Sequence, residues 1–195
     1  MTSTANLHDM RAVIVQMPEH WVEERRMTGA DRRDEVWDGV LHVPPEPTME
    51  HQLLESRLVE VLGPIARRLG LECVSQGTVM DPGRGWKDYR KPDLAIFARD
   101  QMTKRAIEGA PEVVVEILSP NDESRDKFPF YASRGVGEIW LIDPTKRVFE
   151  LYMLRGSTYV TTVEDPVRSP RMNIRFTTIA GPKLRIEWDD GSAEI

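Results

Sequence analysis

Two runs decide the reading of this chain: Pro92-Asp93-Leu94-Ala95-Ile96-Phe97, and Glu112-Val113-Val114-Val115-Glu116-Ile117-Leu118-Ser119-Pro120. The stretch continues through Lys127 and Tyr131 to Gly135-Val136-Gly137-Glu138-Ile139-Trp140-Leu141-Ile142-Asp143-Pro144. Each apolar run has the length of a buried strand. Asp93 and Glu116 lie in runs that should otherwise be buried, and a buried charge is costly unless it is paired or binds a metal. If 92–97 and 112–118 are neighbouring antiparallel strands, Asp93 opens one and Glu116 lies near the end of the other. Their side chains then converge at one end of a sheet. Strand alternation puts residue 118 on the face of Glu116. A lysine there would point at the same spot, but the chain has Leu118, and the nearest replacement is Lys127 at the start of the next helix.

Working outward, Glu35-Val36-Trp37-Asp38-Gly39-Val40-Leu41-His42-Val43 reads as a β-hairpin turning on Asp38-Gly39. Pro44, Pro45 and Pro47 end it. Thr48 is an N-cap for a helix running to about Leu69, with Leu54, Leu58, Val61, Leu62, Ile65 and Leu69 at helical spacing. Gly63-Pro64 should kink or split that helix, and Gly70 caps it. A strand is expected over 71–79, and a surface helix over 100–108. A helix from near Asp126 to Arg134 follows a turn at Pro120-Asn121-Asp122, with Pro129 tolerable only in its first turn. Further strands are expected at 139–142, 148–154 and 158–163, and one or two over 177–188. Near the N-terminus, Ala12 to Val15 is a strand or a docked arm, and His20 to Arg26 a short helix. Tyr131 and Trp140 read as core packing. Glu138 is expected to pair with a basic residue.

This order gives an α+β class: a central mixed sheet with helices packed on it and extra β-hairpins at both ends. The organisation expected is an arm over 1–19, one domain over 20–188 and a C-terminal tail over 189–195. At 195 residues the chain can bury a substantial core. No apolar run reaches the ~18 residues of a membrane span, and the first residues do not read as a secretory signal. The single Cys73 forms no internal disulfide and fits a reducing cytoplasm. A net charge of −6 argues against broad affinity for nucleic acid. It leaves room for a local basic groove, and the loop 81–91, with Arg84, Lys87, Arg90 and Lys91, is the candidate substrate-facing segment.

Two carboxylates, a backbone carbonyl and waters make an all-oxygen shell that suits Mg2+ or Mn2+. Such an ion polarises a phosphoryl oxygen and lowers the pKa of a bound water. A lysine beside it stabilises the charge of the transition state. Pro92-Asp93 followed by Glu116-Ile117-Leu118 resembles the signature of PD-(D/E)xK nucleases. The wider order of motifs is more specific. It runs through Glu35-Val36-Trp37-Asp38-Gly39, His51 at a helix start, Arg90-Lys91-Pro92-Asp93, Glu116 to Pro120, Lys127 four before Tyr131, and Gly135 to Pro144. Together these resemble the Uma-type ("Uma-two") bacterial family of restriction-endonuclease-like proteins over roughly residues 20 to 188.

The resemblance implies a restriction-endonuclease-like fold and a metal-dependent endonuclease acting on nucleic acid, DNA above all. It implies that Asp93, Glu116 and the carbonyl of Ile117 hold the metal, that Lys127 is the catalytic lysine moved off its strand, and that Glu35 and His51 approach the site. Cutting two strands calls for two sites, hence a homodimer. The competing reading is a nucleic-acid- or protein-binding member of the same fold without turnover, to which Leu118 and the acidic charge lend support. A metal-free glycosidase with Asp93 and Glu116 as its acid pair ranks below both.

Overall fold

Among the described residues, alternation of large apolar side chains with small or polar ones builds three sheets, and a long amphipathic helix joins two of them. The computed structural model describes residues 12–15, 18–119, 123–162 and 166–195. The turn at 120–122, most of the N-terminal arm and the end of the strand expected to reach Val163 lie outside these residues.

In chain order the elements are β1 (Ala12–Ile14), α1 (Glu19–Thr28), β2 (Glu35–Trp37), β3 (Val40–Val43), α2 (Met49–Arg68), β4 (Leu71–Ser75) and β5 (Val79–Met80). Then come β6 (Tyr89–Arg90), β7 (Leu94–Ala98), β8 (Val113–Ile117), α3 (Phe128–Ser133) and β9 (Glu138–Ile142). The last part holds β10 (Phe149–Arg155), β11 (Thr158–Thr161), β12 (Val167–Ser169), β13 (Ile174–Ile179), β14 (Lys183–Trp188) and β15 (Gly191–Glu194). The central sheet runs β11-β10-β9-β8-β7-β4, flanked in sequence by sheets β1-β3-β2-β6-β5 and β12-β13-β14-β15. Within the central sheet only β8 and β9 are parallel, joined by the segment that carries α3. The mixed α+β class expected from the sequence is the class observed.

Period-two alternation divides the central sheet cleanly. Leu94, Ile96, Val113, Val115, Ile117, Trp140 and Ile142 face a core shared with Leu54, Leu58 and Leu62 of α2 and with Ile174, Phe176, Leu184 and Ile186 of the C-terminal sheet. Ala95, Phe97, Val114, Ile139 and Leu141 face Phe130 and Tyr131 of α3. Leu94 lies opposite Val115. One step further along the same antiparallel register sets Asp93 opposite Glu116, on the α3 side.

The hairpin at Asp38-Gly39 forms with φ +53° and +86°, as a tight turn with two left-handed residues requires. Thr48 caps α2, its hydroxyl accepting from the His51 backbone N–H at 3.2 Å. Thr48→Ala should therefore cost about 1 kcal/mol of stability, read as a lower urea midpoint at unchanged slope.

Several expectations are corrected. The helix is not split at Gly63-Pro64: α2 is continuous, because Leu58, Leu62, Ile65 and Ala66 anchor both halves while Pro64 faces solvent. The strand expected over 71–79 breaks at Gln76 (φ +54°) into β4 and β5, which join different sheets. The surface helix expected at 100–108 is a single 3-10 turn, Arg99–Gln101, followed by irregular chain. Part of the expected tail is β15, paired with β14, and Ile195 is buried in the main core. Among the described residues Glu138 has no ion pair with a basic side chain. Its carboxylate accepts from Trp140 Nε1, Ser169 Oγ and the Arg171 backbone N–H, three neutral donors that serve a buried carboxylate as well as a cation would. Pro129 lies in the first turn of α3, as required. Among the described residues no helix is long and apolar enough to cross a membrane.

Candidate active site

Five elements deliver the chemistry to one end of the central sheet. Asp93 sits immediately before β7, Glu116 is the fourth residue of β8, His51 lies in the first turn of α2, and Glu35 opens β2. Lys127 ends the 3-10 turn Ser124–Lys127 that leads into α3. All five line a single cleft of ≈ 130 Å³, together with the Ile117 backbone, Arg33, Gln76 and Lys91.

Lys127 bridges two acids. Its ammonium donates to both oxygens of Glu116, at 3.1 and 3.0 Å, and lies 3.0 Å from Glu35 Oε1. The lysine absent from residue 118 is thus supplied from the next element. Leu118 lies on the predicted face, among the apolar side chains around α3. The Tyr131 hydroxyl donates to Glu116 Oε1 at 2.6 Å. Glu35 is held in turn by the Trp37 indole N–H at 2.6 Å and the Lys91 backbone N–H at 2.8 Å.

Asp93 is gripped differently. Its Oδ2 accepts from the Ile117 backbone N–H at 2.6 Å, and its Oδ1 lies 2.9 Å from His51 Nε2 and 3.2 Å from Gln76 Nε2. Gln76 also reaches Glu55, at 3.3 and 3.4 Å to its two oxygens. Glu55 follows His51 by one helical turn, so both project from one face of α2. One ligating atom each from His51, Glu55 and Asp93 lie within 4.8 Å of one another.

The electrostatics follow from burial. Removal from water pushes the Glu116 carboxyl up to about 8; Lys127 opposes the rise, while Asp93 and Glu35 add to it. Burial works against the charge of Lys127, but Glu116 and Glu35 outweigh it and hold the ammonium protonated. Burial likewise opposes protonation of His51, yet the hydrogen bond and charge of Asp93 prevail and raise its pKa. Glu55 is raised by burial and then by Asp93. The Tyr131 hydroxyl, raised by burial and by Glu116, stays a donor.

The sequence-predicted set divides. Asp93, Glu116, Ile117, Lys127, Glu35 and His51 meet in the cleft. The basic loop does not follow them as a unit. Arg90 is 6% exposed, sandwiched between the rings of Trp37 and Phe130 at 4.6 and 4.2 Å, and bonded to Asp88 and the Val36 carbonyl. A guanidinium so enclosed is out of reach of a nucleic-acid backbone, which corrects its assignment as a nucleic-acid contact. Arg84 pairs with Asp38 and Asp88, and Lys87 lines a separate groove beneath α1. Only Lys91 borders the cleft, and its ammonium donates to the backbone carbonyls of Asp31 and Arg32.

Gln76, Glu55 and Arg33 belong to the cleft and its supports and were not singled out from the sequence, while Tyr131, expected as core packing, is buried in the core and also bonds Glu116. Tyr131 and Glu55 carried a usable signal, since each lies four residues after a candidate on a helical segment. Gln76 carried none, because the chain break that aims it is not visible locally.

A family model described as "Uma2: Putative restriction endonuclease" matches residues 21–173. Among solved structures, one from Anabaena variabilis ATCC 29413, described as "a putative nuclease belonging to DUF820", matches with a TM-score of 0.57 and 19% identity. That match covers 72% of this chain and 83% of that one, and it shows a shared fold. No curated protein matches the chain.

Proposed function

Because the chain belongs to the Uma2 family of restriction-endonuclease-like proteins, matched over residues 21–173, we propose that its cleft hydrolyses phosphodiester bonds of nucleic acid, DNA in the first instance, with Mg2+ or Mn2+ as cofactor. The observation that carries this reading is the position of Lys127, 3.0 Å from both Glu116 and Glu35 in the cleft that also holds Asp93. The donor set suits a hard divalent ion. Asp93 and Glu116 supply carboxylate oxygen, and the Ile117 carbonyl is the backbone candidate. His51 and Glu55 bring further ligating atoms within 4.8 Å of Asp93. When bound, the ion supplies Lewis-acid polarisation of a phosphoryl oxygen and an acidified water.

The chain's own residues do the rest. Lys127 offsets the negative charge that grows on the phosphoryl group. Glu35 and Tyr131 fix Lys127 and Glu116 in place, and His51 and Gln76 orient Asp93. Cleavage of both strands calls for two such clefts, which a homodimer would supply by symmetry. A cytoplasmic setting belongs to the same reading, since the single Cys73 forms no internal disulfide and fits a reducing compartment.

A second reading, binding without turnover, draws on the ammonium of Lys127 already being committed to two carboxylates. Plasmid nicking and calorimetric Mg2+ binding, run on the wild type and on Asp93→Ala, separate the two. Nicking that needs Mg2+, stops in chelator and disappears with metal binding in Asp93→Ala supports the nuclease. Metal and DNA binding without nicking supports the binder. A wild type that binds no divalent ion, even with a DNA duplex present, contradicts the metal site.

A further inference from the structure

We propose that Arg33 forms a phosphate subsite at the cleft, taking a backbone phosphate of the nucleic acid, with Glu46 as its displaceable counter-ion; this rests on the nuclease reading above. Arg33 lines the same cleft as Asp93, Glu116 and Lys127. His51 lines it too, and the Arg33 charge is a minor lowering influence on His51 and Glu55.

Three cations line this cleft among the described residues, and they differ in how far their donors are committed. Lys127 is saturated by Glu116 and Glu35. Lys91 donates to two backbone carbonyls. Arg33 Nη1 is buried yet has no hydrogen-bond partner. The Arg33 side chain as a whole is 32% exposed, and its ion-pair partner is Glu46 Oε1, 3.5 Å away, on a side chain 74% exposed. A buried guanidinium N–H without an acceptor is costly, and an exposed carboxylate at that distance repays little of the cost. An anion entering the cleft would satisfy the donor. Guanidinium matches phosphate in charge and in its fork of parallel donors.

The backbone around Arg33 is tied down by hydrogen bonds, whereas its Nη1 has none. Lys91 bonds the Arg32 carbonyl. The Asp34 carboxylate is held by Arg25 at 2.9 and 2.6 Å, and the Asp34 N–H donates to the Asp31 carbonyl at 3.1 Å. The turn between α1 and β2 is therefore a rigid mount for a side chain with a donor to spare. That combination, at the edge of the cleft, suits contact with an entering anion, whereas Arg90 lies outside the cleft lining and is enclosed between two rings.

The test is anisotropy of a fluorescein-labelled DNA duplex with Ca2+ replacing Mg2+, titrated across salt concentrations. The variants are Arg33→Ala, Arg33→Lys, Glu46→Gln and, outside the cleft lining, the exposed Arg105→Ala. The expected result is about tenfold to a hundredfold weaker binding for Arg33→Ala, with the magnitude of the log–log salt slope reduced by about one. Arg33→Lys should keep the slope and lose part of the affinity. Glu46→Gln, exposed and so harmless to the fold, should bind more tightly than wild type. Arg105→Ala should match wild type. If the wild type binds and Arg33→Ala keeps its affinity and slope, the subsite is overturned while the nuclease reading stands. Unchanged affinity in Glu46→Gln overturns the counter-ion role. If the wild type binds no nucleic acid, both readings fail together.

Discussion

Lys127→Met should lower nicking by about a hundredfold to a thousandfold, the range seen when one transition-state donor is removed. It should also destabilise the fold by about 3–5 kcal/mol, because its ammonium is the cation shared by two buried carboxylates. Their side chains are 5% and 6% exposed, so water cannot replace the lost charge. Burial raises the Glu116 carboxyl and Lys127 opposes that rise, so losing the lysine favours protonation of Glu116 further; that neutralisation limits the loss of stability. Nicking measured well below the melting temperature of each variant separates the two effects. Full activity in folded Lys127→Met would remove this lysine from the mechanism. An unchanged urea midpoint would show that the two acids find another partner.

Glu138→Ala carries the second large effect, on stability alone. The residue is 1% exposed and lies in β9, outside the cleft lining. Its two oxygens accept from Trp140 Nε1 at 2.9 Å, Ser169 Oγ at 2.7 Å and Arg171 N at 2.9 Å, tying β9 to the start of the C-terminal sheet. Removing the carboxylate strands two buried donors, Trp140 Nε1 and Ser169 Oγ, and the half-buried Arg171 N–H, a buried donor being worth roughly 1–3 kcal/mol if left unpaired. Partial rescue by water brings the expected loss to about 3–5 kcal/mol, or roughly 10 °C in melting temperature. Glu138→Gln should lose less, since one acceptor survives while the amide N–H2 faces donors. Specific nicking activity at low temperature should remain at the wild-type level. Calorimetry would settle it: a fall of under 3 °C in Glu138→Ala would mean that these hydrogen bonds contribute little.

Much of the site was legible because its signals are local. Asp93 and Glu116 stand out as acids in apolar runs, and alternation along two strands puts them on one face without any knowledge of the rest of the chain. The hairpin at Asp38-Gly39 and the capped start of α2 are equally local, being set by turn chemistry and by one hydroxyl. Lys127 was legible by elimination, once Leu118 occupied the place on the strand where a lysine would point at Glu116.

The failures have a common cause. The strand expected over 71–79 divides because its two halves pair with different sheets, and that choice depends on β6 and β7, which come later in the chain. The loop 81–91 reads as basic and exposed, yet Arg90 is drawn inside by rings from β2 and α3. Glu138 looked like one half of an ion pair, and its partners came instead from its own strand and from residues over 30 positions away.

By itself the sequence determined the central sheet, the pair of acids at its end and the family to which the chain belongs. The tertiary structure decided which donors reach those acids, that Tyr131 and Gln76 join them, and that Arg33 rather than Arg90 lines the cleft. Hydrogen bonds such as that between His51 and Asp93 span 42 residues of sequence. Periodicity records which face a side chain takes, whereas its partner is fixed only when separate elements close on one another.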